Sequence, residues 1–367
     1  MLPVDHAQAI LVGRILTEAG PTPVIMRGGR IYDVSATAAT VADLLDLADP
    51  AYAAGTDIGA VSEIGSDTGP KLLAPIDLQC VKACGVTFAL SAIERVIEER
   101  ARGDADKANE IRGDLEAKVG SGIRSVVPGT PEAANLKAAL IEAGMWSQYL
   151  EVAIGPDAEV FTKAPVLSAV GWGADIGVRS DSDWNNPEPE VVLIVDKTGT
   201  PRGATLGNDV NLRDFEGRSA LLLGKAKDNN ASTALGPFIR LFDDSFTMDD
   251  VRTAEVDLVI DGPEGYQLKG TNKMSQISRD PTDLVRQTLS EHQYPDGFAL
   301  FLGTLFAPIQ DRDHPGRGFT HKDGDVVRIS SPKLGALVNR VTTSKAAAPW
   351  TFGIRELIRN LADRGLL

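Results

Sequence analysis

Asn185-Asn186-Pro187-Glu188-Pro189-Glu190-Val191-Val192-Leu193-Ile194-Val195 is the stretch that decides the fold, together with the turn Lys197-Thr198-Gly199-Thr200 and the return from Pro201 to Leu206. The unbroken aliphatic run 191–195 reads as a buried strand, and the return after a Gly-containing turn as its antiparallel partner. Strand side chains alternate between faces, so Glu188 and Glu190 point the same way, about 7 Å apart along the strand. A hairpin centred between Thr198 and Gly199 places residue 188 opposite residue 209, which is Asp209. Three carboxylates from two neighbouring strands then converge on one face. Like charges so close raise each other's pKa unless a cation sits among them. All-oxygen ligands select a hard ion, Mg²⁺ by default with Mn²⁺ or Ca²⁺ as competitors. The plain alternative is two exposed glutamates flanking prolines and an Asp in a Gly-Asn-Asp turn.

Working outward, Gly and Pro (36 and 21 of 367 residues) punctuate short apolar runs, as in a strand-rich fold with many turns. Ala9 to Ile15 and Val24 to Val34 read as strands, the second folded back at Arg27-Gly28-Gly29-Arg30, where paired glycines accept a tight hairpin turn. Thr40 to Leu47 reads as a short helix, and Ala48 to Pro70 as an irregular linker. A boundary near residue 70 gives a small β-rich N-terminal domain, 1–70, and a larger domain, 71–367. Helical spacing then dominates: Leu90, Ile93, Val96 and Ile97 form an apolar stripe with Glu94, Arg95 and Glu98 on the other faces. Further helices are expected over Lys107 to Val119 and Glu132 to Tyr149. Beyond Glu151 strands prevail, at 191–195, 203–206, 256–260, 298–302, 326–330 and 334–341. Helical exceptions are 219–225, 280–289 and the tail 354–364. Helices first and a large β region after them is an α+β organisation.

The charge balance is −14. That disfavours nucleic acid, whose binding needs clustered Lys and Arg, and an anionic membrane surface. No run approaches the ~18–20 apolar residues of a membrane helix. Met1 to His6 lacks a signal peptide's basic start, so the expectation is a cytoplasmic protein. Cys80 and Cys84 have no Cys or His nearby to complete a zinc site, and are expected to be reduced, buried thiols.

Taken together, several motifs resemble the fumarylacetoacetate hydrolase superfamily. They are the Glu-x-Glu pair, Gly207-Asn208-Asp209-Val210 with Arg213-Asp214, and the spacing from Lys227 to Leu235-Gly236-Pro237. Phe161-Thr162-Lys163, Phe301-Leu302-Gly303-Thr304, and Leu334-Gly335 with Asn339-Arg340-Val341 extend the match over about residues 72 to 345. Within the superfamily the chain looks most similar to bacterial 2-keto-3-deoxy-D-pentonate dehydratases of non-phosphorylating pentose catabolism. That likeness reaches Leu11 to Ile15 and Trp350 to Ile354. The resemblance implies a mixed β-sandwich roll, a cytoplasmic homodimer or homotetramer, and a small 2-keto-3-deoxy sugar acid as substrate.

Carried over residue by residue, the resemblance implies that Glu188, Glu190 and Asp209 hold Mg²⁺, with Mn²⁺ as a substitute. Glu159 is the candidate acid/base. Lys227 contacts the substrate or an enolate, Ser91 positions an oxygen, and Thr304, Lys163 and Asn230 bind substrate. The expected reaction is loss of water through a metal-stabilised enolate to 2,5-dioxopentanoate. One departure bears on the choice. Carbon–carbon hydrolases of the superfamily follow Gly-Leu-Asn-Tyr with a His that activates water, whereas Gly85-Val86-Thr87-Phe88 leads here to Ser91, a poor base. Acylpyruvate hydrolysis, oxaloacetate decarboxylation, retro-aldol cleavage and a non-catalytic sugar-acid binder are the alternatives. His292 and His321 lie in polar loops outside the motif.

Overall fold

The computed structural model of the chain describes residues 1–64, 69–108, 111, 126–306, 308, 310–314 and 318–367. Strands β1 to β6 are Leu11–Thr17, Gly20–Arg27, Arg30–Asp33, Thr56–Ala60, Lys71–Leu72 and Cys80–Gly85. Strands β7 to β12 are Glu159–Ala164, Asp175–Val178, Asn185–Asn186, Pro189–Val195, Pro201–Asp209 and Asn211–Leu212. Strands β13 to β18 are Thr233–Leu241, Glu255–Asp261, Gln267–Lys273, Phe298–Phe301, Val326–Ser331 and Gly335–Thr343. Helices α1 to α5 are Val41–Leu45, Ala89–Ala101, Pro131–Glu142, Gln148–Ile154 and Arg213–Glu216. Helices α6 to α9 are Leu223–Lys227, Met248–Thr253, Pro281–Leu289 and Ile354–Asp363.

The hairpin β10–β11 forms in the expected register, Pro189 opposite Asn208 and Glu190 opposite Gly207, and Asp209 N–H donates to the Glu188 carbonyl at 3.0 Å. It lies inside an eleven-stranded mixed sheet of order β4-β3-β2-β1-β13-β11-β10-β16-β6-β7, with β5 on β1. A second sheet, β15-β14-β17-β18-β8, packs against it. Along β10 the odd residues Val191, Leu193 and Val195 enter the core between the sheets with Leu258, Ile329 and Leu337. The even residues Val192 and Ile194 enter a second core with Val12, Ile239 and Leu44. Covering on both faces explains why the run is continuously apolar rather than alternating. Each of its five side chains contributes roughly 1.5–3 kcal/mol by burial.

This is the α+β architecture the sequence predicts. The boundary we propose near residue 70 falls between β4 and β5, and the sheet runs across it, because β1 pairs with β13. The segment expected to be an irregular linker contains β4, which pairs with β3; Thr-Asp-Ile-Gly-Ala lacks the alternation that marks a strand. Strand β13 also escaped the pattern, since Gly236-Pro237 within it argues against a sheet interior. It is tolerated opposite a register shift in β11 between Ala204 and Leu206. The helix expected over 132–149 is two, α3 and α4, interrupted at Gly144, whose φ is +66°. The helix expected over Lys107 to Val119 lies almost wholly outside the described residues. Both cysteines are free thiols; Cys84 is buried, while Cys80 is half-buried rather than buried as expected. Among the described residues no helix is long and apolar enough to cross a membrane.

Gly207 has a packing reason to be glycine. A Cβ there would overlap the Phe301 ring and lie 2.7 Å from Val192 Cγ2. Gly207→Ala is expected to lower unfolding stability by about 1–3 kcal/mol, as overpacking does. Urea titration reads it, and an unchanged midpoint would contradict the close packing of the hairpin.

Candidate active site

The end of the β10–β11 hairpin carries Glu188, Glu190 and Asp209 side by side, all buried, with one oxygen from each within 4.8 Å of the others. The Glu188 N–H is held by Asn208 Oδ1 at 3.1 Å, which fixes the chain where it enters β10. Glu190 Oε2 accepts the Gly303 N–H at 2.6 Å. Gly303 has φ +94° after β16, and a Cβ there would overlap Thr87 Oγ1, so the turn that holds Glu190 requires glycine. Ser91 Oγ, on α2, donates to the Thr304 carbonyl, and Thr304 Oγ1 accepts from Phe306 N–H at 3.0 Å.

Cations answer two of the three carboxylates. Lys227, at the end of α6, sets its ammonium 2.6 Å from Glu188 Oε2 and 3.1 Å from Asp209 Oδ2. Lys163, on β7, lies 2.9 Å from Asp209 Oδ1. Burial alone would raise Asp209, but Lys163 and Lys227 outweigh it and hold the carboxyl below its ordinary range. Burial alone would lower Lys227, but Asp209 and Glu188 hold its ammonium well above the ordinary lysine value. Glu190 has no ion pair among the described residues. Burial, with Asp209 and Glu188 beside it, pushes its carboxyl far above the ordinary glutamate value.

The opposite wall of the cleft is Glu159, the first residue of β7, paired in register with Gly85. A Cβ on residue 85 would overlap Glu159 Oε2, so Gly85 leaves the room in which that carboxylate lies. Burial raises Glu159, while Arg95 and Lys227 oppose the rise. Glu159, Glu188, Glu190, Asp209 and Glu216 line the cleft against only Arg95 and Lys227. An excess of carboxylates, buried oxygens at close range and one acid lacking a cation together suit a divalent ion. The triad could hold a metal.

Among the residues expected at the site, Ser91, Glu159, Glu188, Glu190, Asp209, Lys227 and Thr304 all line this cleft. Lys163 stands behind Asp209, fully buried, its ammonium also bonded to the Val210 and Lys227 carbonyls. There it braces a carboxylate, and the expected substrate contact gives way to that role. Asn230 is placed elsewhere: its amide donates to the Ser344 and Ala348 carbonyls at 3.2 and 3.1 Å, tying down the C-terminal segment. His292 is exposed and stacks on Tyr294, whereas the His321 ring is buried against Asp325 Oδ2 at 3.0 Å.

Sequence reasoning missed the ion-pair network behind the cleft. Arg95, on α2, reaches Glu188 Oε1 at 2.6 Å and Glu98 and Glu216 at 2.7 Å each. Glu98 and Glu94 in turn hold the buried Arg213 at 2.6 and 3.2 Å. Burial raises Glu216 to about 7, against the pull of Arg95. The available signal was Glu94-Arg95 with Glu98 one turn on, a charged face whose burial only the packing of α2 against α4 and α5 discloses.

Residues 132–342 match the family described as fumarylacetoacetate (FAA) hydrolase C-terminal. A 2-dehydro-3-deoxy-D-arabinonate dehydratase of Saccharolobus solfataricus is 31% identical over 186 residues, 50% of this chain; the match spans 58% of that protein's length. A probable 2-keto-3-deoxyxylonate dehydratase of Haloferax volcanii is 28% identical over 258 residues, 70% of this chain and 85% of that one. Among solved structures, a 2-keto-3-deoxy-D-arabinonate dehydratase in its apo form superposes with a TM-score of 0.65 at 21% identity, covering 91% of this chain and 99% of that one. The structure of such a dehydratase complexed with magnesium and 2,5-dioxopentanoate gives 0.63 at 21% identity, with the same coverage. At that identity the likeness shows the fold.

The raised carboxyls set the sign of a pH effect. Glu190 and Glu216 bind protons more tightly when folded than at the ordinary value of 4.5, Glu216 up to about 7. From pH 4.5 upward through 7, the unfolded chain therefore carries fewer protons at these positions, and their contribution to stability falls as pH rises. A divalent ion favours the ionised triad, so its binding releases a proton and strengthens with pH. The rise in melting temperature on adding Mg²⁺ is expected to grow between about pH 5 and 8. A rise that is flat, or larger at low pH, would contradict the assignment.

Proposed function

This chain belongs to the fumarylacetoacetate (FAA) hydrolase C-terminal family, and from that premise we propose that it is a Mg²⁺-dependent hydro-lyase converting 2-keto-3-deoxy-D-pentonate to 2,5-dioxopentanoate. The observation that carries the reading is the buried triad Glu188, Glu190 and Asp209 sharing a narrow cleft with the carboxyl of Glu159. Ser91 at the position where the hydrolases keep a water-activating His supports elimination over hydrolysis. The names of the relatives, and the magnesium and 2,5-dioxopentanoate in one fold neighbour, support the choice of substrate.

Glu188, Glu190 and Asp209 would hold the ion, and the same oxygens would accept Mn²⁺. When bound, the ion supplies Lewis-acid polarisation of the 2-keto group, which makes the C3 protons acidic. Lys227 adds positive charge on the same side of the cleft, between Glu188 and Asp209. The Gly303-Thr304 turn spends its Gly303 N–H on Glu190 and brings Thr304 to the cleft, where its hydroxyl would meet the substrate carboxylate, and Ser91 pins that turn by its bond to the Thr304 carbonyl. Glu159, as carboxylate, takes the C3 proton. As carboxylic acid it then donates that proton to the C4 hydroxyl, which leaves as water with the electron pair of the C4–O bond. The C3–H pair becomes the C3–C4 double bond, and a proton shift of the unsaturated keto acid gives the 5-aldehyde. Because burial raises Glu159, it exchanges protons nearer neutrality than an exposed glutamate.

The net charge of −14 repels an anionic substrate at long range, so the attraction must be local, from the bound ion, Lys227 and Arg95. Cytoplasmic location and assembly as a homodimer or homotetramer belong to the same reading, the assembly being measured by light scattering.

NMR of the product is the test. Mixing protein, Mg²⁺ and 2-keto-3-deoxy-D-pentonate is expected to yield 2,5-dioxopentanoate, and EDTA to stop it. Pyruvate with glycolaldehyde would replace elimination by carbon–carbon cleavage. Glu188→Ala or Asp209→Ala is expected to abolish both metal binding and turnover, and turnover retained by either variant in metal-free buffer would defeat the site. Glu159→Gln should lower kcat roughly 10²- to 10⁴-fold, the range for losing a general acid/base, while metal affinity stays unchanged.

A further inference from the structure

The carboxylate rung of the hairpin is followed by an amide rung. Past Glu188 and Asp209 the same register continues into the short ladder β9–β12, where Asn186 stands opposite Asn211. Both side chains are buried, at 2% and 1% exposure. Asn186 donates to the Pro187 carbonyl at 2.9 Å, which leaves its Oδ1 without a partner. Asn211 uses neither Oδ1 nor Nδ2. Both residues line a small cavity that shares Glu188 and Arg95 with the metal cleft. Buried amide atoms without partners are rare in native proteins and call for a bond from something that enters.

Resting on the function proposed above, we propose that the Asn186–Asn211 rung is the subsite for the hydroxylated end of the substrate, where it binds the C5 hydroxyl and so selects a polyol tail. The chemistry of the free atoms specifies the group. Asn186 Oδ1 and Asn211 Oδ1 accept, and Asn211 Nδ2 donates. A hydroxyl both donates and accepts, and satisfies such a pair. A carboxylate could take only the Asn211 N–H and would leave both Oδ1 atoms unpartnered, and the two arginines of the same wall, Arg95 and Arg213, are already paired with Glu94, Glu98, Glu188 and Glu216. A keto oxygen likewise only accepts, so the rung disfavours dicarboxylates and acylpyruvates. Distance agrees: Asn186 precedes Glu188 by two residues, about 7 Å of extended chain, a span comparable to a five-carbon acid whose C1 and C2 oxygens lie at the triad. The subsite thus sits on β9 and β12, the short ladder that follows β10 and β11 in the same register, two residues beyond Glu188 and Asp209.

The experiment compares kcat/KM for 2-keto-3-deoxy-D-pentonate with that for 4-hydroxy-2-oxopentanoate, which differs only in lacking the C5 hydroxyl. The unaltered protein is expected to favour the pentonate by tenfold or more, and Asn211→Leu to erase most of that ratio by depressing the pentonate far more than the analogue. Asn186→Leu should do the same, and decides the matter if Asn211→Leu does not fold. Asn211→Ser, which restores a small donor and acceptor, should recover part of the ratio. Equal use of both compounds by the unaltered protein, or a ratio that survives the Leu variants, overturns the subsite while leaving the dehydratase in place. Equal losses on both compounds assign the asparagines to structure and also overturn it. No turnover of either compound by the unaltered protein defeats the dehydratase reading, and the subsite with it.

Discussion

Three carboxylates within 4.8 Å of one another, all removed from water, repel strongly, and the structure around them is organised to make that arrangement tolerable. Taking charges out of water costs several kcal/mol per ion unless partners compensate. Lys227 and Lys163 compensate Asp209, Lys227 and Arg95 compensate Glu188, and Glu190 receives only a backbone N–H. The compensation therefore stops short of neutrality. What is left without a cation is Glu190, whose carboxyl holds its proton beside an open cleft, and a hard cation would displace that proton where another lysine would fill the space.

Holding that arrangement needs rigid supports. Two come from sheet strands that the fold buries on both faces, and one from a turn. The eleven-stranded sheet fixes Glu188 against Asp209 through the hairpin register and fixes Glu159 against Gly85 through β6–β7. The Gly303-Thr304 turn, anchored by Ser91 and Thr87, closes the remaining side. Behind it, Arg95 ties α2 to Glu188, and Arg213, the first residue of α5, ties that helix to Glu98 of α2. Because α2 contributes both Ser91 and Arg95, its docking couples the substrate turn to the metal strands. A helix one turn out of place would lose both contacts at once.

The legibility of these parts in sequence follows the range of the interactions that make them. The triad was readable because hairpin pairing is local: a turn at Lys197 to Thr200 and alternation of period two suffice to place Glu188 opposite Asp209. The helical stripe was readable for the same reason in Ile93, Val96 and Ile97, which are buried, whereas Leu90 stands exposed. Arg95 was not, because a charged residue on a helix looks the same facing water as facing a buried glutamate. Asn230 was misplaced because it follows Lys227 closely in sequence, whereas the chain leaves the cleft at Asp228 and turns toward Ser344. Strand β13 was hidden by Gly236-Pro237, tolerated through a bulge in a neighbouring strand that no local pattern encodes.

The hairpin also suggests why charge and neutrality alternate along it. Rungs near the triad cannot gain another carboxylate without raising the repulsion already stored there, nor another lysine without competing for the metal's place. Amides avoid both, since they carry donors and acceptors but no net charge. Asn186 and Asn211 face each other two residues beyond Glu188 and Asp209, buried and beside a cavity that shares Glu188 and Arg95 with the cleft. Their neutrality leaves the charge balance of the triad unchanged while still offering directional bonds. Two consecutive ladders in one register can then separate two tasks by about 7 Å of extended chain: charge is handled at the acid pair and hydroxyl recognition at the amide pair. Such a division allows specificity to change by substitution at 186 or 211 without altering the electrostatics on which the chemistry depends.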